Sequence, residues 1–201
     1  MRACAVGRDA APLSTCPIGV LPMPSVLLIV DVQRALTEGE QACHDVAGVI
    51  DRVNGVAARA RAAAVTVVVI QHEASSGGFV HGSRTWELAP ALQVAPSDLL
   101  LRKTTPDAFE RTSLKALLDE RRVTDVVICG MQSEFCVDTT TRRAAALGYP
   151  VVLVADAHTT TDKPHLSASQ IVAHHNQTLS AITSFGPRIR AVAAADLVFA
   201  N

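Results

Sequence analysis

The chain has 201 residues, 49% of them hydrophobic and only 18% charged, with a formal net charge of −1. That length suits one well-buried domain better than two, and the composition is that of a folded globular protein. The near-neutral charge offers little to a nucleic acid or an acidic membrane surface, and no apolar run approaches the roughly 18 residues of a membrane span.

Residues 1–24, MRACAVGRDAAPLSTCPIGVLPMP, begin with a positive charge, but Arg8 and Asp9 interrupt any apolar core. The segment is a poor signal peptide and reads as a flexible extension, with Met23 available as an alternative start. Residues 25–201 read as one domain without repeat or linker. SVLLIVD, VTVVVIQ, DLLLRK, TDVVICG and PVVLVAD are short, β-branched, nearly continuous apolar runs, the pattern of strands buried on both faces of a parallel sheet. Between them VAGVIDRVNGVAARARAAA, SLKALLDERR and VDTTTRRAAALG read as amphipathic helices. This alternation predicts an α/β fold, a doubly wound, mainly parallel sheet with helices on both faces. The last third adds helices and a sixth strand expected near residues 181–185. The five cysteines, Cys4, Cys16, Cys43, Cys129 and Cys136, form no paired framework and no CxxC motif, so a reduced, cytoplasmic setting is expected.

In such sheets ligands bind beyond the carboxyl ends of the strands. The polar residues there are Asp31, Gln71, His72, Lys103 and Asp156, and the loop GMQSEFC delivers Cys136 to the same rim. Singly, Asp31 is a loop residue, Lys103 a solvated charge and Cys136 a small hydrophobe. Together they supply what amide hydrolysis needs: a thiol nucleophile, a carboxylate to move its proton, and an ammonium. A helix N-terminus and Lys103 both favour the thiolate while Asp31 opposes it, so the net expectation is a Cys136 pKa below the ~8.5 of a free thiol. The Cys136–Arg142 spacing also matches cysteine phosphatases, but the intervening residues lack glycine, and a helix starting at Cys136 turns Arg142 by ~600°, off the cysteine face.

Three motifs, LLIVDVQRAL around Asp31, RKTTPDAF around Lys103 and GMQSEFCVDTTTRRAAALGYPVVLVADAHTT around Cys136, resemble the isochorismatase-like cysteine hydrolases, a family that includes nicotinamidases, carbamoylsarcosine amidohydrolases and ureidoacrylate hydrolases. The resemblance runs from Ser25 to the end and implies an Isochorismatase-like, Rossmann-like three-layer sandwich with an Asp31–Lys103–Cys136 triad. It also implies a cis peptide at Met131–Gln132 and an oxyanion hole made by the backbone N–H groups of Gln132 and Cys136. Ser133 stands where threonine is common, which keeps the hydroxyl. Nicotinamidases carry an Asp-x-His pair after the second strand; IQHEASSGGFVHGSRTW offers His72, Glu73 and His81 without that spacing, so no metal and no cofactor are expected. His72, Trp86 and Phe109 are expected to line the substrate pocket. True isochorismatases cleave a vinyl ether without needing the cysteine, so Cys136 points to C–N hydrolysis of a small amide or ureido compound. The alternatives are a vinyl ether hydrolase and a non-catalytic binding module on the same fold. The expected partner is a small-molecule substrate, with a homo-oligomer as the expected assembly.

Overall fold

Five continuous apolar runs become strands of the main sheet, four of them internal and one at its edge. The structure, a computed structural model, describes residues 20–21 and 24–200. In chain order the elements are β1 (Val20–Leu21), β2 (Ser25–Val30), α1 (Arg34–Thr37), α2 (Val46–Ala62), β3 (Thr66–His72), β4 (Leu99–Lys103), α3 (Leu114–Glu120), β5 (Asp125–Met131), a π-helical turn (Ser133–Val137), α4 (Asp138–Ala146), β6 (Val151–Thr159), α5 (Ala168–Ser180), β7 (Ile189–Val192) and β8 (Val198–Phe199). The main sheet has six strands in the order β4-β3-β2-β5-β6-β7, and every neighbouring pair is parallel. Strand order reverses between β2 and β5, which puts Asp31 and the turn after β5 side by side on the carboxyl rim.

Side chains alternate across the pleat, so β2 feeds two separate cores. Leu27 and Ile29 pack with Val49, Val53 and Val56 of α2 on one face. Val26, Leu28 and Val30 pack with Leu114 and Leu118 of α3, Ala144 and Ala145 of α4, and Leu179 of α5 on the other. Each helix is amphipathic because only one of its faces meets the sheet. Cys129 is fully buried in β5, and burial pushes its thiol up to about 12.

Two local readings change. The sixth strand is not at 181–185, where α5 ends and the chain turns through Gly186; it is Ile189–Val192, on the edge beside β6. AITSF is apolar enough to resemble a strand, but Ile182 packs against the core after α5, and the edge strand that pairs is short and only partly buried, with a charged residue in its apolar run. Val20 and Leu21, in the stretch read as an extension, pair with β8, and Leu21 is buried. Cys4, Cys16 and the rest of that stretch lie outside the described residues.

One glycine fixes how closely β5 meets β2. Gly130 has φ +121°, and a Cβ there would lie 2.0 Å from the Val30 carbonyl oxygen. No L side chain fits that approach without moving backbone. Gly130→Ala is therefore expected to lower unfolding stability by at least about 3 kcal/mol, measured by chemical denaturation; a loss under about 1 kcal/mol would mean that the strands separate easily.

Candidate active site

Asp31 follows β2 directly. It holds a left-handed backbone, φ 52°, with its N–H donating to the Ile70 carbonyl at 2.9 Å. The bend turns its carboxylate to the rim, where it is 1% exposed. Lys103 ends β4, one strand beyond β3, and its ammonium is fully enclosed. Nζ donates to Asp31 Oδ2 at 2.7 Å, to Cys136 Sγ at 3.1 Å and to the Thr105 carbonyl at 3.2 Å, and lies 3.3 Å from His72 Nδ1. The three groups expected from the motifs are thus brought into one contact. His72 joins them.

Cys136 sits in the π-helical turn that leaves β5, after a Met131–Gln132 peptide that is cis. Its electrostatics differ from the expectation. Burial pushes the thiol up to about 12, Asp31 reinforces that, and Lys103 opposes both without prevailing. The physical reason is visible in the geometry. The cysteine lies inside a widened turn rather than at a clean helix N-terminus, and the first turn of α4 already holds Asp138. A buried anion next to a buried thiol favours the protonated form. Asp31 Oδ1 is buried with no hydrogen-bond partner, and an oxygen of that carboxylate lies within 4.8 Å of Cys136 Sγ. The arrangement therefore keeps the proton on sulfur with a proton acceptor close by. His72 is pulled below its ordinary range by burial and by Lys103, whose ammonium lies beside its Nδ1.

The remaining expected pocket residues divide. Trp86 is half-buried on the loop after β3, with His81 edge-on to its ring at 4.6 Å. His72 makes a similar edge contact with Phe79 at 5.2 Å. A cleft of about 560 Å³ is lined by Glu73, Ala74, Ser75, His81, Thr104 and Arg111; His72 and Trp86 adjoin Glu73 and His81 but do not line it. Phe109 does not join them: it is 7% exposed and its ring stacks on Tyr149 within the core. The loop after Lys103 turns inward there, so its aromatic residue fills space under α3 and α4. Arg142 pairs with Asp138 at 2.8 Å, turned to its own helix as the phosphatase comparison required.

Metal-capable side chains converge at one point among the described residues: Asp31, His72 and Cys136 place ligand atoms within 4.8 Å of one another. Lys103 Nζ is in contact with all three. A dication there would displace an ammonium, so this donor set does not fit a metal while Lys103 is present. Glu73 and His81 do not belong to that group.

Several positioning residues carry no signal in the hydrophobic pattern. Gln33, fully buried, donates to the carbonyls of His72 (3.0 Å) and Trp86 (2.7 Å) and accepts from the His72 N–H (2.8 Å). It sews the loop after β3 to the Asp31 bend. Thr140 of α4 donates to the Pro106 carbonyl at 3.3 Å and accepts from the Ala108 N–H at 3.2 Å, holding the loop after Lys103. His158 is buried near the end of β6, with Nδ1 2.8 Å from Ser133 Oγ and Nε2 2.9 Å from Asn176 Oδ1. The amide oxygen only accepts, so Nε2 carries the proton and Nδ1 accepts from Ser133.

The fold and this contact define the class: a doubly wound α/β protein with an acid, a buried lysine and a cysteine joined at the carboxyl rim. A model of the Isochorismatase domain matches residues 25–184, and the chain belongs to that family. It is similar to two streptothricin hydrolases from Streptomyces noursei. One is 44% identical over 140 residues, covering 69% of this chain and 50% of the relative. The other is 38% identical over 160 residues, covering 79% and 63%. The chain thus spans half to under two thirds of their length. It is 28% identical over 188 residues to the ureidoacrylate amidohydrolase RutB of Methylobacterium radiotolerans, covering 75% of this chain and 73% of the relative. A solved isochorismatase family protein superposes with a TM-score of 0.74 at 33% identity, covering 88% of this chain and 98% of that one.

Two expectations follow. A thiol held up to about 12 exposes far less thiolate near pH 7 than an ordinary cysteine at ~8.5. Iodoacetamide should label Cys136 more slowly than free glutathione, Asp31→Asn should speed the labelling, and Lys103→Met should slow it; peptide mass mapping reads all three. Labelling faster than glutathione would return the thiol to the activated state. Separately, burial pushes His158 down to about 4 from its ordinary 6.5. The unfolded chain binds that proton first as pH falls, so stability is lost between about pH 6.5 and 4, by up to about 3 kcal/mol. The difference in unfolding free energy between wild type and His158→Gln should shrink across that window, and a pH-independent difference would count against the linkage.

Proposed function

We propose that this chain is a cysteine-dependent hydrolase that cleaves a C–N bond of a small amide or ureido compound through a thioacyl-enzyme intermediate. The observation that carries the reading is the buried contact of Lys103 Nζ with both Asp31 Oδ2 and Cys136 Sγ, which sets the carboxylate within 4.8 Å of the thiol.

The reaction follows from the protonation states. Asp31 takes the thiol proton as Sγ attacks the carbonyl carbon. The carbonyl electron pair moves to oxygen, where the backbone N–H groups of Gln132 and Cys136 receive it. The C–N bond breaks as the amine takes the proton from Asp31. Water then gives a proton to Asp31 and attacks the thioacyl carbon, and the returning proton restores the thiol as the acid leaves. Lys103 stays charged throughout and offsets the anion that forms on sulfur. His72 orients Lys103 and stands, with Trp86, beside the cleft. No step calls on a cofactor.

Relatives named for streptothricin and ureidoacrylate make those two compounds the first substrates to test, beside simple amides and ureides, with amine or ammonia release as readout. Cys136→Ala, Asp31→Asn and Lys103→Ala are each expected to lower kcat/KM by about 10³ or more, with losses that do not add because the groups act as a unit. A trapped acyl-enzyme on Cys136, seen as a mass increase of the intact protein, would identify the nucleophile. Near-wild-type turnover by Cys136→Ala overturns the reading and favours vinyl ether chemistry.

A further inference from the structure

The turn that carries Cys136 cannot hold itself as an α-helix does. It is π-helical, with the Val137 N–H reaching the Gln132 carbonyl at 3.2 Å, a wide and intrinsically weak winding. Two consecutive side chains tether it to the next strand. Ser133 is held by His158, as described. Glu134 reaches past the end of β6: its Oε1 accepts from Thr160 Oγ1 at 2.8 Å and from Lys163 Nζ at 2.9 Å.

The second tether is an enclosed one. The side chains of Glu134 and Lys163 are 16% and 26% exposed, and Glu134 Oε2 is buried with no hydrogen-bond partner. The carboxylate therefore depends on Thr160 and Lys163 for its compensation. Lys163 is itself fixed at several points: Nζ donates to Thr161 Oγ1 at 2.9 Å and lies 5.5 Å from the centre of the Phe135 ring. Phe135 is the residue between Glu134 and the nucleophile, and it is 48% exposed, so no core packing restrains it from the outside. One ammonium thus grips the turn at two successive residues directly before Cys136.

We propose that Glu134 and Lys163 form a positioning pair that sets the placement of Cys136 against Asp31 and Lys103. Glu134 touches no reacting atom in this scheme; it acts through the turn. The proposal rests on the nucleophile reading of Cys136, and it predicts that the pair governs the chemical step rather than substrate affinity.

The test uses three variants of the full chain. Glu134→Gln keeps an acceptor for Thr160 and loses the ion pair; Glu134→Ala loses both; Lys163→Met loses the ion pair from the other side. Misplacement of a nucleophile by about 1 Å can cost about 10²-fold. Glu134→Ala should therefore lower kcat by about 100-fold, and Glu134→Gln and Lys163→Met by about 10-fold each, with KM within about two-fold of wild type. The double variant Glu134→Gln/Lys163→Met should be no worse than either single, since both remove one interaction. A readout independent of turnover accompanies these: displacing the thiol from Asp31 should move the midpoint of the pH profile of Cys136 alkylation downward in Glu134→Ala and Lys163→Met. If Glu134→Ala does not fold, Lys163→Met carries the test alone. A rise in KM with kcat unchanged would make Glu134 a substrate contact, and thermal destabilisation with wild-type kcat and alkylation profile would make the pair merely structural; either overturns the proposal. Should Cys136→Ala retain turnover, the hydrolase reading fails by itself, while the alkylation profile still reports whether the pair positions the thiol.

Discussion

The arrangement at the rim depends on an ammonium that has no access to water. A buried lysine is costly unless its protons find partners, and Lys103 has a carboxylate, a carbonyl, a thiol and an imidazole nitrogen within reach. Those partners come from four segments: the bend after β2, the end of β3, the loop after β4 and the turn after β5. The parallel sheet brings them together because every strand ends on the same side. Meeting the demands of one cation therefore fixes four chain segments relative to one another, and the chemistry uses the geometry that this demand imposes.

The protonation state of the cysteine follows from the same contact. With Lys103 alone, sulfur would ionise more readily; with Asp31 at the same ammonium, the cation is already neutralised and the second anion is resisted. The pair behaves as an internal salt bridge with a neutral thiol beside it. Such a resting state costs nucleophilicity before substrate arrives, yet it spares the enzyme an exposed thiolate that oxidants would consume. Asp31 Oδ1 is buried with no hydrogen-bond partner, and a carboxylate oxygen lies within 4.8 Å of Sγ, so an acceptor for the thiol proton is at hand with little rearrangement of the protein.

What the sequence made legible is what period and position encode. The continuous apolar runs of β2, β3, β5 and β6 were legible because strands covered on both faces have no solvent side to mark with polar residues, whereas the run of β4 lies at the sheet edge with Leu100 63% exposed. Asp31, Lys103 and Cys136 were legible because each follows such a run, and the fold sends all run ends to one rim. The edge strand Ile189–Val192 was not, because an edge is half-exposed and its pattern is weaker than that of the apolar stretch preceding it. Phe109 misled because loop aromatics next to a catalytic residue can face either way, and here the core took it. Gln33, Thr140 and His158 were illegible for another reason: their partners lie 39, 34 and 25 residues away, and no local spacing announces a hydrogen bond of that range. The thiol was misjudged by counting favourable neighbours without weighing burial, the largest influence on it.

The turn before α4 brings these strands of argument together. Its sequence, QSEFC, places a small hydroxyl, a carboxylate and an exposed aromatic in three consecutive positions ahead of Cys136. In an α-helix such residues would radiate to different sides, and their tethers would compete with regular hydrogen bonding. In the wider winding of a π-helical turn the backbone gives up part of its own support, and the side chains of β6 and of the segment beyond it replace it from outside. Cys136 is consequently held by long-range contacts on the β6 side and by Lys103 on the β4 side, with the sheet as the rigid body between them. Precision at a flexible kind of turn is thereby obtained from the most rigid part of the molecule, which is the general requirement for a group that must meet a carbonyl carbon at a fixed distance and angle.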